Sequence, residues 1–195
     1  MPLPKVEQNV FETILARRSV RGYTSKLVDA DILRTLLEAA VRAPTAMHRE
    51  PWAFVIIQNK QILQNLSDRA KPLFIEELKR NGASIDIFGR PDVSIFYDAG
   101  TLIIICGKAN GHFSEADCWL AAENLMLAAC AMGLGTCVVG SSLLAIRQPE
   151  VKSSLGIPTE FTAVAPIIIG YPSGETAPSA RKAPLILNQV STAVN

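Results

Sequence analysis

The sequence predicts a mixed helix-and-strand domain with about four sheet strands and flanking helices. Three observations predict it. Apolar runs at residues 52–57, 101–106, 136–139 and 161–171 are strand-length and mostly rich in β-branched residues. Between them, apolar residues recur at helical spacing in longer segments. Finally, Gly133-Leu134-Gly135-Thr136-Cys137-Val138 superficially resembles a dinucleotide fingerprint but follows a helix and precedes a strand. The fingerprint needs the opposite order and a third glycine where this chain has Val138. The segment therefore reads as a glycine helix stop, and a Rossmann fold is disfavoured.

Taken in order, Val6, Val10, Phe11, Ile14 and Leu15 lie at helical spacing and predict a first helix ending near Arg17. Asp29 or Asp31 can cap a second, with Ile32, Leu33, Leu36, Leu37 and Ala40 on one face and Pro44 as its stop. A buried strand follows at 52–57. Residues 60–81 are helical, with Pro72 forcing a start or a kink. Residues 82–98 read as an irregular loop built on Gly89-Arg90-Pro91-Asp92. A second strand, at 101–106, is buried on both faces. Ser114 caps a long central helix with Asp117 in its first turn. A third strand covers 136–139, Ser141 or Ser142 caps a short helix through Ile146, and a fourth strand, bent at Pro166, runs over 161–171. Beyond Pro172 the chain cannot form its own core. Its apolar triplet Leu185-Ile186-Leu187 favours an arm laid on another surface.

At 195 residues the chain reads as a single domain, residues 1–195, of which about 173–195 are that arm. A net charge of +1 gives no reason to expect nucleic acid or an acidic membrane surface as a partner. Four cysteines, Cys106, Cys118, Cys130 and Cys137, sit in apolar runs without metal-ligand spacing, and His48 and His112 do not complete a set. No metal site is expected. Reduced buried thiols and the lack of an apolar leader in the first residues point to the cytoplasm. Residues 119–139 are apolar enough to suggest a membrane span. Glu123, Asn124, Gly133 and Gly135 interrupt them, so a buried helix and strand are expected, with a partner subunit covering one side.

The densest chemical signal is Arg17-Arg18-Ser19-Val20-Arg21. Three planar guanidiniums and a hydroxyl suit a phosphate plus a second electron-rich group. A solvated basic helix end is the plain alternative. Residues 43–52, Ala43-Pro44-Thr45-Ala46-Met47-His48-Arg49-Glu50-Pro51-Trp52, form a polar loop between a helix and a buried strand, able to meet a flat heteroaromatic edge. Arg181-Lys182 adds a second cationic cluster after the last strand.

These segments, in this order, together with 134–140 and Gly170-Tyr171-Pro172, resemble the FMN-dependent nitroreductase family. The resemblance runs over nearly the whole chain. It implies an α+β fold with a central mixed or antiparallel sheet flanked by helices, and a homodimer with an exchanged C-terminal arm and two FMN sites at the interface. It implies that Arg17 and Ser19 hold the FMN phosphate, with Arg181 reaching the same group and Arg18 supporting the phosphate–ribityl end. Arg21 would lie near the pyrimidine edge, and Pro44, Thr45 and Ala46 would line the ring. His48 stands where relatives often carry Asn. Val138, Val139 and Gly140 would offer backbone near N5. Ser179 replaces a basic residue common in relatives.

The implied activity is NADH- or NADPH-dependent reduction of a small electron-poor molecule, a nitroaromatic or quinone, by ping-pong hydride transfer through N5. No protein nucleophile or acid–base pair is needed, so no catalytic side chain is assigned. Other readings are dehalogenation, oxygen-dependent flavin cleavage, azoline oxidation, or a non-catalytic flavin-binding protein.

Overall fold

A computed structural model describes residues 9–82 and 93–190. Helix α1 (Val10–Ala16) opens on a capping box in which Asn9 accepts from Glu12 N and the Glu12 side chain accepts from Asn9 N. After it come α2 (Ala30–Ala40), a 3-10 turn at Ala46–His48, β1 (Trp52–Ile57) and α3 (Lys60–Arg80). The second half holds β2 (Thr101–Lys108), α4 (Ser114–Ala131), β3 (Gly135–Val138), α5 (Leu143–Ile146), α6 (Pro149–Ser154) and β4 (Phe161–Gly170). The four strands form one sheet in the order β1-β2-β4-β3, and every pair is antiparallel.

The two central strands explain the core. Leu102, Ile103, Ile104 and Ile105 on β2 are fully buried, as are Ile167, Ile168 and Ile169 on β4. Successive side chains point to opposite faces. Ile103, Ile105, Ile167 and Ile169 pack with α2 and α4, while Leu102, Ile104, Cys106 and Ile168 pack with residues of α3, α5 and α6. Each such side chain contributes about 1.5–3 kcal/mol on burial, so two complete faces hold the sheet between helical layers.

Several local expectations are corrected. Ser114 does not cap α4. Phe113 occupies that position, and the Ser114 hydroxyl is buried without a hydrogen-bond partner among the described residues. Asp29 is at the N-cap of α2 but its side chain makes no capping bond. Pro72 neither starts nor ends a helix; α3 runs through it. A register shift that was not anticipated falls at Val164, the extra residue between the Ile105–Ala165 and Cys106–Ala163 pairs, while Pro166 stays paired with Ile104. Helix α6, opened by a proline in its first turn, was not anticipated. The glycine stop is as expected: Gly133 has φ +75°, and Leu134 N donates to Ala129 O at 2.8 Å. Val6 and residues 83–92 of the expected loop lie outside the described residues.

Two helices carry apolar side chains that remain exposed among the described residues. On α1, Val10, Phe11, Ile14 and Leu15 are all exposed, and on α4 so are Trp119 and Leu120. The 185–187 triplet is exposed as well. No described helix is long and apolar enough to cross a membrane.

The segment after α1 docks on the sheet through glycines. A Cβ at Gly135 would sit 2.8 Å from three side-chain carbons of Val20, and one at Gly170 would sit 2.8 Å from the Tyr23 ring. Gly135→Ala should therefore destabilise the protein by about 1–3 kcal/mol through overpacking. A urea midpoint unchanged from wild type would show that Val20 does not press on β3 as described.

Burial pushes the Cys106 thiol up to about 11 and the Cys118 thiol up to about 12; the neighbouring Cys106 thiol and the Asp117 and Glu115 carboxylates add to the latter. The folded state thus holds both protons more tightly than the unfolded chain does. Their contribution is intact below about pH 9 and is lost as pH rises toward 11–12. The urea midpoint should fall across that window, and less steeply in a Cys106→Ala/Cys118→Ala variant; equal slopes would contradict the assignment.

Candidate flavin-phosphate cleft and the 44–48 loop

Helix α1 delivers the arginines. Arg17 is its C-cap, with its N–H donating to Thr13 O at 2.9 Å. Arg18 Nη1 donates to the carbonyls of Leu15 and Arg17. From there the chain is extended and clamped. Ser19 forms a parallel bridge with Thr136 and Tyr23 an antiparallel one with Pro172. Val20 N donates to Thr136 O at 2.9 Å, Thr24 N to Tyr171 O at 2.8 Å, and Ser173 N to Gly22 O at 3.1 Å. The Tyr23 hydroxyl donates back to Val20 O at 2.7 Å, and burial pushes its pKa far up, so it stays a donor.

This clamp opens a cleft of about 260 Å³ lined by Arg17, Arg18, Cys130, Thr136, Gly174 and Thr176 among others. No carboxylate of the described residues lines it. Glu123 on α4 stands outside, its Oε1 3.6 Å from Arg17 Nε. Arg21 is exposed and sits 5.8 Å from the Tyr97 ring centroid. Burial raises the Cys137 thiol, opposed by the Arg21 guanidinium, a hydrogen bond with Ser19 and the Arg17 guanidinium. Burial likewise raises Cys130, opposed by Arg17 and Arg18. The two thiols therefore report how close the basic groups lie. Val138, Val139 and Gly140 continue from the strand that holds Ser19. Val139 is buried, and a Cβ on Gly140 would meet nothing within 4 Å. Two guanidiniums and threonine hydroxyls around an open cleft are a donor set that suits a phosphoryl group.

The structure places Arg17 and Arg18 on the cleft, with Ser19 and Arg21 following on the segment bridged to β3; neither these two nor residues 138–140 are among its lining residues. It does not bring Pro44, Thr45, Ala46 or His48 to them. That loop is tied to the other end of α4, where Asp117, 5% exposed, accepts from Ala46 N at 3.1 Å. Cys130, beside the arginine cleft, lies 13 residues along the same helix, roughly 20 Å away. The loop is strained. Met47 and His48 both have φ +54° and Glu50 has φ +44°, and such non-glycine conformations persist only where the surroundings fix them. Glu50 N donating to Thr45 Oγ1 at 3.3 Å and the Asp117 anchor do so. The His48 side chain is 92% exposed, with Nε2 3.7 Å from Glu50 Oε1. Arg181 is exposed and is not among the residues lining the cleft.

Two residues of the site were not assigned from sequence. Asp117 looked like a helix-end acid, and Glu123 like an interruption in an apolar run. The available signal was the same for both: an acid in a helix otherwise apolar on every side. Such an acid needs a partner.

The chain resembles known proteins over this whole framework. The sequence pattern of the nitroreductase family matches residues 14–171. A protein from Methanothermobacter thermautotrophicus, provisionally named NADH dehydrogenase/NAD(P)H nitroreductase, is 28% identical over 86% of this chain and 79% of its own. The crystal structure of a nitroreductase with bound FMN from Bacteroides fragilis superposes with a TM-score of 0.80 at 29% identity, covering 95% of this chain and 100% of that one. An iodotyrosine deiodinase bound to FMN and 3-iodo-L-tyrosine shares the fold, at TM-score 0.71 and 20% identity over 93% of this chain and 100% of its own. The match over most of the chain places this protein in the nitroreductase family.

Proposed function

We propose that this protein is an FMN-dependent oxidoreductase that uses NADH or NADPH to reduce small electron-poor molecules such as nitroaromatics or quinones. The carrying observation is the Arg17–Arg18 cleft, clamped between α1 and β3 in a chain of this family. FMN, when bound, supplies two-electron transfer between the nicotinamide and the acceptor.

The chain's own residues bind and orient. Arg17 and Arg18 hold the phosphate, and Ser19 sits beside them on the bridged strand. Arg21 is assigned to the pyrimidine edge, where a fixed positive charge favours electron gain by the ring. Residues 138–140 offer backbone groups, and open space at Gly140 supports close approach of a flat ligand. No side chain is assigned a chemical step.

The proposed enzyme is a homodimer and each chain one domain, residues 1–195, with about 173–195 as an arm on the partner. Support comes from the uncovered apolar side chains of α1, α4 and 185–187. The distance between the cleft and the 44–48 loop adds to it. Pro44, Thr45, Ala46 and His48 would complete the ring site of a second copy. Arg181, which does not line its own cleft, would reach phosphate by way of the same arm.

Arg17→Ala should weaken FMN binding about 10–100-fold, from roughly 1.5–3 kcal/mol per lost ionic hydrogen bond. Glu123→Gln, which frees Arg17 from its ion pair, should strengthen it about twofold to fivefold, as expected for an exposed pair worth 0.2–1 kcal/mol. Flavin fluorescence titration reads both. Unchanged affinity in Arg17→Ala would remove the phosphate assignment. Deleting residues after Gly174 should convert dimer to monomer at nanomolar concentration in light scattering or analytical ultracentrifugation; a persistent dimer would remove the arm.

A further inference from the structure

A second cavity lies away from the arginine cleft. It has a volume of about 450 Å³ and is bounded by residues 23–27, the start of α3 and the 94–100 turn. That is within the range of small-ligand sites. The chain crosses the end of the sheet to reach it. Gln58, on its lining, donates to Val28 O and Thr101 Oγ1 beside β1 and β2, whereas the cleft adjoins β3. Tyr23, also on its lining, bridges to Pro172 of the cleft, so the two cavities share no lining residue but meet through that pair.

The lining combines two features. Leu27, Leu63, Phe96 and Ala99 give it an apolar wall, and Leu27 is 49% exposed although a Cβ on Gly100 would touch it. Lys60 and Asp98 also line it. Neither makes an ion pair or side-chain hydrogen bond among the described residues, not even with the other. Both side chains are exposed and solvated when the cavity is empty, and a ligand carrying both complements can engage the two together.

The acidic side is built rigidly. Tyr97 and Asp98 are successive non-glycine residues with φ +51° and +56°. Backbone of this kind collects at ligand clamps and needs outside support. It has that support: Ile95 N donates to the buried Ser67 Oγ at 3.1 Å, Lys71 Nζ to Val93 O at 2.8 Å, and Ala99 N to Phe96 O at 3.0 Å. The turn is preorganised on α3 before any ligand arrives.

We propose that this cavity binds a free α-amino acid with an apolar or aromatic side chain. The carboxylate meets Lys60, the ammonium meets Asp98, and the side chain lies against Leu27 and Leu63. A simple acid would gain Lys60 but be opposed by Asp98, a simple amine the reverse, and a neutral apolar molecule would leave both charges uncompensated. The site is independent of the flavin assignment.

The test uses the full-length protein and isothermal titration or ligand-observed NMR, with L-phenylalanine and L-leucine as probes. At least one should bind saturably. For L-phenylalanine, the analogues 3-phenylpropionate and phenethylamine should each bind about tenfold more weakly, one charge-assisted contact being lost in each. Lys60→Met should abolish the preference for L-phenylalanine over phenethylamine. Asp98→Asn, a residue that tolerates the left-handed backbone, should abolish the preference over 3-phenylpropionate. Absence of saturable binding by both amino acids at millimolar concentration would overturn the proposal. So would equal binding of L-phenylalanine and its two analogues, or unchanged preferences in both variants.

Discussion

The whole site depends on one close approach: Val20 and Tyr23 lying against Gly135 and Gly170. An extended segment has no reason to hold its side chains in fixed positions unless its backbone is paired and its own residues are wedged in place. Here the absence of Cβ atoms at Gly135 and Gly170 lets the segment settle onto the sheet end, and two bridges with three backbone hydrogen bonds, from Ser19 to Ser173, fix its register. Once Val20 faces inward, alternation puts its neighbours Ser19 and Arg21 on the other side of the strand. Arg17 and Arg18 are then carried on the helix end immediately before it. The basic cluster is thus positioned by apolar packing rather than by ion pairs. The Arg17–Glu123 contact, at 3.6 Å and half exposed on the acid, is too weak to do it.

Helix α4 sets the scale of everything else. Its middle packs under the sheet, one end anchors the 44–48 loop through Asp117, and the other walls the arginine cleft with Cys130. A rigid helix keeps those two features apart within one chain. The same helix presents Trp119 and Leu120 outward, and its later turns meet α1 through Cys130 and Thr13. A surface that is costly to leave in water and a loop separated from its cleft have one common remedy in the proposed second copy.

Much of this was legible in the residues. Strands β2 and β4 were readable because apolar runs built around consecutive isoleucines suit burial on both faces, and the helix stop because Gly133 must adopt positive φ. The arginine box was readable because its charge density is unusual in a chain of nearly zero net charge. What failed were choices decided by tertiary contacts. Ser114 has the ordinary chemistry of a cap, but α4 begins where Gly107 and Gly111 leave room for that serine to turn inward: a Cβ on Gly107 would lie 2.6 Å from its hydroxyl. The register shift at Val164 is a property of the β2–β4 pair and not of Pro166 alone. Pairings such as Ala46 with Asp117, 71 residues apart, leave only a one-residue trace in sequence.

The central claim is that affinity for the cofactor resides in the basic cleft that receives its phosphate. Comparing FMN with riboflavin, which differ only in that phosphate, tests it most directly on the unmodified protein. At low salt FMN should bind at least about 100-fold more tightly, as two charge-assisted contacts would supply, and added salt should narrow the difference. Equal affinity for the two flavins, insensitive to salt, would contradict the account.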